Sequence, residues 1–237
     1  MMYLLYGNPI LIAAAVIPAI FLLVQINKAD KLDREPVGLL VSLVIQGIIS
    51  TALAVLTERL GTAILDSLWP ENAFVYRVLM YFVVVGLSEE GFKYLLLKRR
   101  TWYSPDFNCQ FDGVVYAVCV ALGFALWENI GYVAMYGMGT ALVRAVTAVP
   151  GHACFGVFMG AFYGMAKRYS NYGCEAQSKR CRHLAVLLPT VLHGFYDFIA
   201  TSESRFSEWA FLLFVIVLFL ITSRMVKNLS REDRYIR

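Results

Sequence analysis

The sequence predicts an all-α fold, a polytopic transmembrane helical bundle of about seven spans. Three observations predict it. Hydrophobic residues fill 59% of the 237 positions and charged residues only 16%, with a mean hydropathy of +0.62. An ordinary soluble domain is about a quarter charged and cannot hide that much apolar surface. Seven apolar stretches approach the roughly 20 residues that cross a hydrocarbon core as helix. Basic residues gather in alternate loops between those stretches, as a membrane topology requires.

The spans are read at approximately 4–26, 37–56, 74–97, 111–136, 141–166, 183–200 and 208–226. The first has no basic residue before it, and the first Lys is Lys28. A cleaved signal peptide starts with positive charge, so this segment is read as a retained helix with its N-terminus outside. After the second span, "TERLGTAILDSLW" (57–69) is too short and too mixed to cross, and is expected along the interface. The third and fourth spans are apolar except for a few charges taken up below. In the fifth, Pro150 removes a helix hydrogen bond and Gly151 a side chain, so a kink or opening is expected there. The sixth is short but bounded by a basic loop before it and "TSESR" after it.

Loop charge sets the orientation. Lys28, Lys31 and Arg34 follow span one; Lys98, Arg99 and Arg100 follow span three. Lys167, Arg168, Lys179, Arg180 and Arg182 follow span five, and Arg224, Lys227, Arg231, Arg234 and Arg237 occupy the tail. The opposite side has only Arg59, Arg77, Arg144 and Arg205. The expected arrangement is N-terminus outside and C-terminus cytoplasmic. The excess of 21 Lys and Arg over 17 acids is therefore a topology signal, and no nucleic-acid partner is implied. The partner is the lipid bilayer. No repeat, low-complexity tract or long loop divides the chain, and residues 1–237 are read as one domain. The five cysteines contain no CxxC pair, and the spacing of Cys174, Cys181 and His183 fits no standard zinc pattern.

Ionisable groups inside spans are costly and mark candidate sites. Span three carries Glu89, Glu90 and Lys93 in "SEEGFK". Lys93 lies i+4 from Glu89 and i+3 from Glu90, within helical reach of either. Adjacent Glu89 and Glu90 point about 100° apart, so one acid is expected to hold the amine while the other faces elsewhere, free to activate water. Span four carries Glu128 and Asn129 in "FALWEN", with Phe124 and Trp127 placed to pack beneath Glu128. Span five carries His152, and span six carries His193 and Asp197 one turn apart. A carboxylate at that spacing fixes an imidazole tautomer; the same spacing also suits paired metal ligands. Each motif alone has an ordinary structural explanation: a self-paired ion cluster, a boundary residue, a satisfied core histidine. Together, on four consecutive helices, they can all be satisfied cheaply if they converge on one wet cavity. Acids and imidazoles around water are equipment for peptide-bond hydrolysis.

These motifs resemble a known family. "EEGFK" matches EExxK, "FALWEN" matches FxxxEN, "PGH" the single-His motif and "HGFYD" the HxxxD pattern of the PrsW-type intramembrane proteases. "DREP" (33–36) and "FDGVVYA" (111–117) look like further family features, and the match spans roughly residues 30–200 in the family's order. The family is distantly similar to the CAAX prenyl proteases of the ABI type. The resemblance implies a multi-pass protease of the cell membrane. Its substrate would be a single-pass membrane protein, typically an anti-sigma factor given its first cut in a stress response. It carries the functional set onto Glu89, Glu90, Lys93, Glu128, His152, His193 and Asp197. Glu89 is assigned as base and Glu90 as the partner of Lys93, with the register permitting the exchange. His152 would polarise water or carbonyl, and His193, oriented by Asp197, would complete the oxyanion site or bind metal. No metal is expected to be obligatory; zinc is possible, with Glu128, His152 and His193 as candidate ligands. A transporter or channel using the same buried charges is the competing class, disfavoured by the lack of a repeated half. A scaffold without chemistry is a third.

Overall fold

The computed structural model describes residues 9–202 and 204–236. Residues 4–8 of the first predicted span lie outside them. The elements in order are α1 (Pro9–Ala29), α2 (Val37–Leu68), α3 (Phe74–Leu79), a π-helical stretch (Met80–Leu87) and α4 (Ser88–Thr101), followed by α5 (Asp112–Tyr136), α6 (Met138–Val146), α7 (Ala148–Asn171), α8 (Glu175–Ala200) and α9 (Arg205–Arg231). Six helical segments are long and apolar enough to cross a membrane: α1, α2, α5, α6 with α7, α8, and α9. The third predicted span falls on α3, the π stretch and α4, which follow one another without a gap. No strand is present among the described residues beyond one isolated bridge between Cys109 and Tyr235.

Two expectations change. Residues 57–69 are not a separate segment: α2 runs unbroken for 32 residues to Leu68, about 48 Å at 1.5 Å per residue. Nothing in "TERLGTAILDSLW" stops a helix, because its only glycine, Gly61, packs against the side chain of Val84. The expected disturbance in span five falls at Thr147, whose backbone (φ −120°, ψ −72°) separates α6 from α7. Pro150 then sits in the first turn of α7, where its missing N–H is not needed.

Helix α5 is the axis. Every residue from Asp112 to Ala125 is buried, the mark of a helix wrapped on all sides. Glycines permit the wrapping. Gly156, Gly160 and Gly164 line one face of α7 at four-residue spacing. A Cβ on Gly160 would lie 2.4 Å from the Gly113 carbonyl oxygen, and one on Gly164 2.1 Å from that of Gln110. Gly47 of α2 and Gly123 of α5 mesh in the same way. Gly86 of the π stretch faces Thr190 and Gly194 of α8. Small residues let helix backbones meet without large side chains between them, and these contacts bring the polar groups of separate helices together. By contrast α1 and α9 leave Phe21, Trp209, Leu213 and Ile216 exposed, an apolar belt suited to lipid.

Candidate active site

The polar residues of four helices meet around Lys93. Its Nζ donates to Glu90 Oε1 at 2.7 Å and to Glu89 Oε2 at 3.1 Å, and lies 3.2 Å from His152 Nδ1. The expectation that one acid would turn away does not hold, because the flexible amine reaches both carboxylates. The two acids still differ: Glu90 is wholly buried, whereas Glu89 keeps 5% exposure. Phe124, expected beneath Glu128, also reaches the amine. Its ring lies 3.8 Å from Lys93 Nζ, a cation–π contact that supports the ammonium from below, while Trp127 is half exposed.

The histidines extend this centre in two directions. His193 Nδ1 lies 3.0 Å from Glu90 Oε1 and 3.7 Å from Glu89 Oε2, and its Nε2 lies 3.4 Å from Asp197 Oδ2. Phe155 stacks on the His193 ring at 4.9 Å. With Lys93 donating to Nδ1 of His152, the ring hydrogen of the neutral imidazole sits on Nε2 and is donated to Glu128 Oε2 at 3.0 Å. All seven residues named from the sequence therefore belong to one connected network, from Asp197 through His193, Glu90, Glu89, Lys93 and His152 to Glu128.

Two participants escaped sequence reasoning. Arg144 of α6 donates to Glu128 Oε2 at 2.7 Å and to Asn129 Oδ1 at 3.0 Å, its guanidinium 4.0 Å above the Tyr132 ring. Asn129 in turn donates to the Ala15 carbonyl of α1 at 2.7 Å. The signal for Arg144 was its isolation in "GTALVRAV", on the side with few basic residues. Glu58 of α2 is half-buried, with Oε1 unpartnered and within electrostatic reach of Lys93, Glu128, His193 and Asp197. It sits in the stretch read as interfacial, which concealed it.

One ligand atom each from Glu89, Glu90, His152 and His193 lies within 4.8 Å of the others. Carboxylate and imidazole donors suit zinc. Glu128, a candidate ligand from the sequence, is instead held by Arg144 and His152. Two apolar crevices of about 390 Å³ each run between α1, α7 and α9, reaching Pro150 and Cys154 but none of the network residues.

Buried acid, amine and imidazole groups gathered among helices long and apolar enough to cross a membrane are the equipment an intramembrane hydrolase requires. Residues 35–223 match the family described as "PrsW family intramembrane metalloprotease". The chain is 34% identical over 213 residues to Protease PrsW of Oceanobacillus iheyensis, covering 88% of this chain and 93% of that one. It is 32% identical to Protease PrsW of Clostridioides difficile (93% and 89% covered) and 30% identical to that of Bacillus subtilis (89% and 90% covered). The chain belongs to the PrsW family of intramembrane proteases; it is a multi-pass membrane peptidase. No solved structure gives a significant match.

Proposed function

We propose that this protein cuts a peptide bond of a single-pass membrane protein by carboxylate-activated water, with an anti-sigma factor as the substrate and regulated proteolysis as the setting. Its N-terminus lies outside and its C-terminus in the cytoplasm. The observation that carries the reading is the meeting of Glu89, Glu90, Lys93, His152 and His193 at hydrogen-bonding distances, from helices far apart in sequence.

Glu89 is the base, because it alone of the acid pair keeps an exposed edge. Glu90, held by Lys93 and His193, stays an anchor. Glu89 removes a proton from water as the oxygen attacks the scissile carbonyl. A His152 ring N–H, released from Glu128, donates to the oxyanion. Glu89 then passes its proton to the leaving amine as the C–N bond breaks. Asp197 orients His193 from the far side. The donor set fits zinc; Glu89 or Glu90 with His152 and His193 would hold it, and bound zinc would supply a Lewis acid that polarises water. Lys93 lies 2.7–3.2 Å from Glu89, Glu90 and His152 and competes for the same lone pairs; for that reason no metal is assigned as obligatory.

Purified protein in detergent, given single-pass substrates, tests this. Wild type yields a defined fragment, and Glu89→Gln and His152→Ala abolish it while helicity persists. Undiminished cleavage in both variants removes the chemistry. Chelation leaves cleavage intact on the metal-free route; loss on chelation with recovery by zinc assigns the metal route instead.

A further inference from the structure

Two motifs of the sequence, "DREP" and "FDGVVYA", play no part in the hydrolytic network. The fold brings them together elsewhere. Asp30 follows the last turn of α1, Glu35 precedes α2, and Asp112 opens α5. One carboxylate oxygen of each lies within 4.8 Å of the other two. All three are buried, Asp30 and Asp112 completely. No Lys or Arg among the described residues is within ion-pair distance of any of them.

The hydrogen bonds around this corner leave oxygens aimed inward. Asp112 Oδ2 accepts the amides of Asn108 (3.0 Å) and Cys109 (2.6 Å), which fixes the carboxylate and leaves Oδ1 without a partner. Neither oxygen of Asp30 has a hydrogen-bond partner of good geometry, nor has Glu35 Oε2 or the hydroxyl of Tyr116 one turn along α5; the Glu35 amide beside Asp30, and Tyr116 and Asp112 beside Glu35, are close enough for weak, poorly aligned contacts only. Asp233 of the tail accepts the Phe111 amide on Oδ1 at 2.8 Å and leaves Oδ2 free. An unpaired buried carboxylate is among the costliest groups a fold can hold, and here Asp30 shares its spot with two further carboxylates, each with one oxygen unpartnered. Burial, reinforced by neighbouring acids, pushes the Asp30 carboxyl up to about 6 and the Glu35 carboxyl up to about 7.

We propose that Asp30, Glu35 and Asp112 bind a hard divalent cation of the Mg²⁺ or Ca²⁺ class, bordered by Tyr116 and Asp233, which ties the α1–α2 loop to the start of α5. The donors are all oxygen, the preference of these ions over zinc. Ligands at about 2.0–2.6 Å from a central ion stand up to roughly 4–5 Å apart across it, and the three oxygens already meet that spacing. The site shares no residue with the hydrolytic network. It lies at the end of the bundle where the α1–α2 loop, the loop before α5 and the tail meet, and Asp233 brings the tail to it.

The test is Mn²⁺ binding to the full-length protein in detergent after chelator treatment, read by the loss of the free-Mn²⁺ electron paramagnetic resonance signal. The expected result is a bound Mn²⁺ at concentrations up to about 1 mM, displaced by Mg²⁺ or Ca²⁺. Binding should weaken at least tenfold in Asp30→Asn and in Glu35→Gln, and survive in Glu89→Gln. Glu35→Gln, the least buried substitution, serves if Asp30→Asn does not fold. In parallel, Mg²⁺ should raise the Tm of wild type and not that of the two loop variants. No Mn²⁺ bound by wild type overturns the proposal. So does binding that persists in both loop variants, or that is lost in Glu89→Gln and kept in Asp30→Asn.

Discussion

Replacing Lys93 by Met tests the centre of the site. The change keeps an unbranched apolar stem over Phe124 and removes one buried charge. Lys93 is 1% exposed and contacts Glu90, Glu89 and His152 at 2.7, 3.1 and 3.2 Å. Removing one partner of a buried ion pair costs about 3–5 kcal/mol, because the other charge is left uncompensated. Two carboxylates lose the same cation here, but Glu90 keeps His193 at 3.0 Å, which holds the loss to that range rather than twice it. Adding Glu89→Gln removes the charge left without a close partner, so the double variant should recover most of the stability. Neither should cleave substrate. Unfolding in mild detergent, followed by circular dichroism against added denaturing detergent, measures both. A single variant within about 0.5 kcal/mol of wild type, the range of an ordinary surface change, would refute a buried ion cluster around Lys93.

Further outcomes follow from the same geometry. Glu89→Gln should lower the cleavage rate by roughly 10²–10⁴-fold with little change in the unfolding curve, measured on a single-pass substrate. Arg144→Met should reduce cleavage by on the order of tenfold or more through a displaced Glu128 and His152, and Arg144→Lys should restore part of it; equal activity in all three forms contradicts a positioning role. Gly160→Ala should destabilise by about 1–3 kcal/mol or more, because its Cβ would meet the Gly113 carbonyl oxygen at 2.4 Å. Gly151→Ala, whose nearest neighbour is a Tyr196 ring carbon at 3.5 Å, should unfold like wild type.

What was legible in the sequence followed from short-range rules. Span positions come from apolar length. The pairs Glu89–Lys93, Glu90–Lys93 and His193–Asp197 come from helical spacing, and all three are close in space. The pairs across helices were not legible. Lys93 and His152 are 59 residues apart, and His193 and Glu90 103 apart. Their meeting depends on which glycine faces touch, and no spacing rule encodes that. The π stretch was hidden because apolar residues alone do not distinguish i→i+5 from i→i+4 bonding. Arg144, at the start of the span read at 141–166, was counted only as an outer-side charge, because no spacing rule relates it to Glu128 sixteen residues earlier.

The enclosure of α5 has a bearing on biogenesis. Its most extensive neighbour, α7, lies downstream in the chain, so during synthesis the axis enters the bilayer before that side of its casing exists. Acyl chains must line the groove at Gly113 until α7 arrives with Gly160 and Gly164 and displaces them, whereas Gly123 already faces α2. Since lipid tails are as apolar as the helices that replace them, the late step draws on backbone fit more than on water exclusion. Defects in the small-residue seams should therefore surface as stalled assembly, with every segment inserted yet the hydrolytic centre never closed.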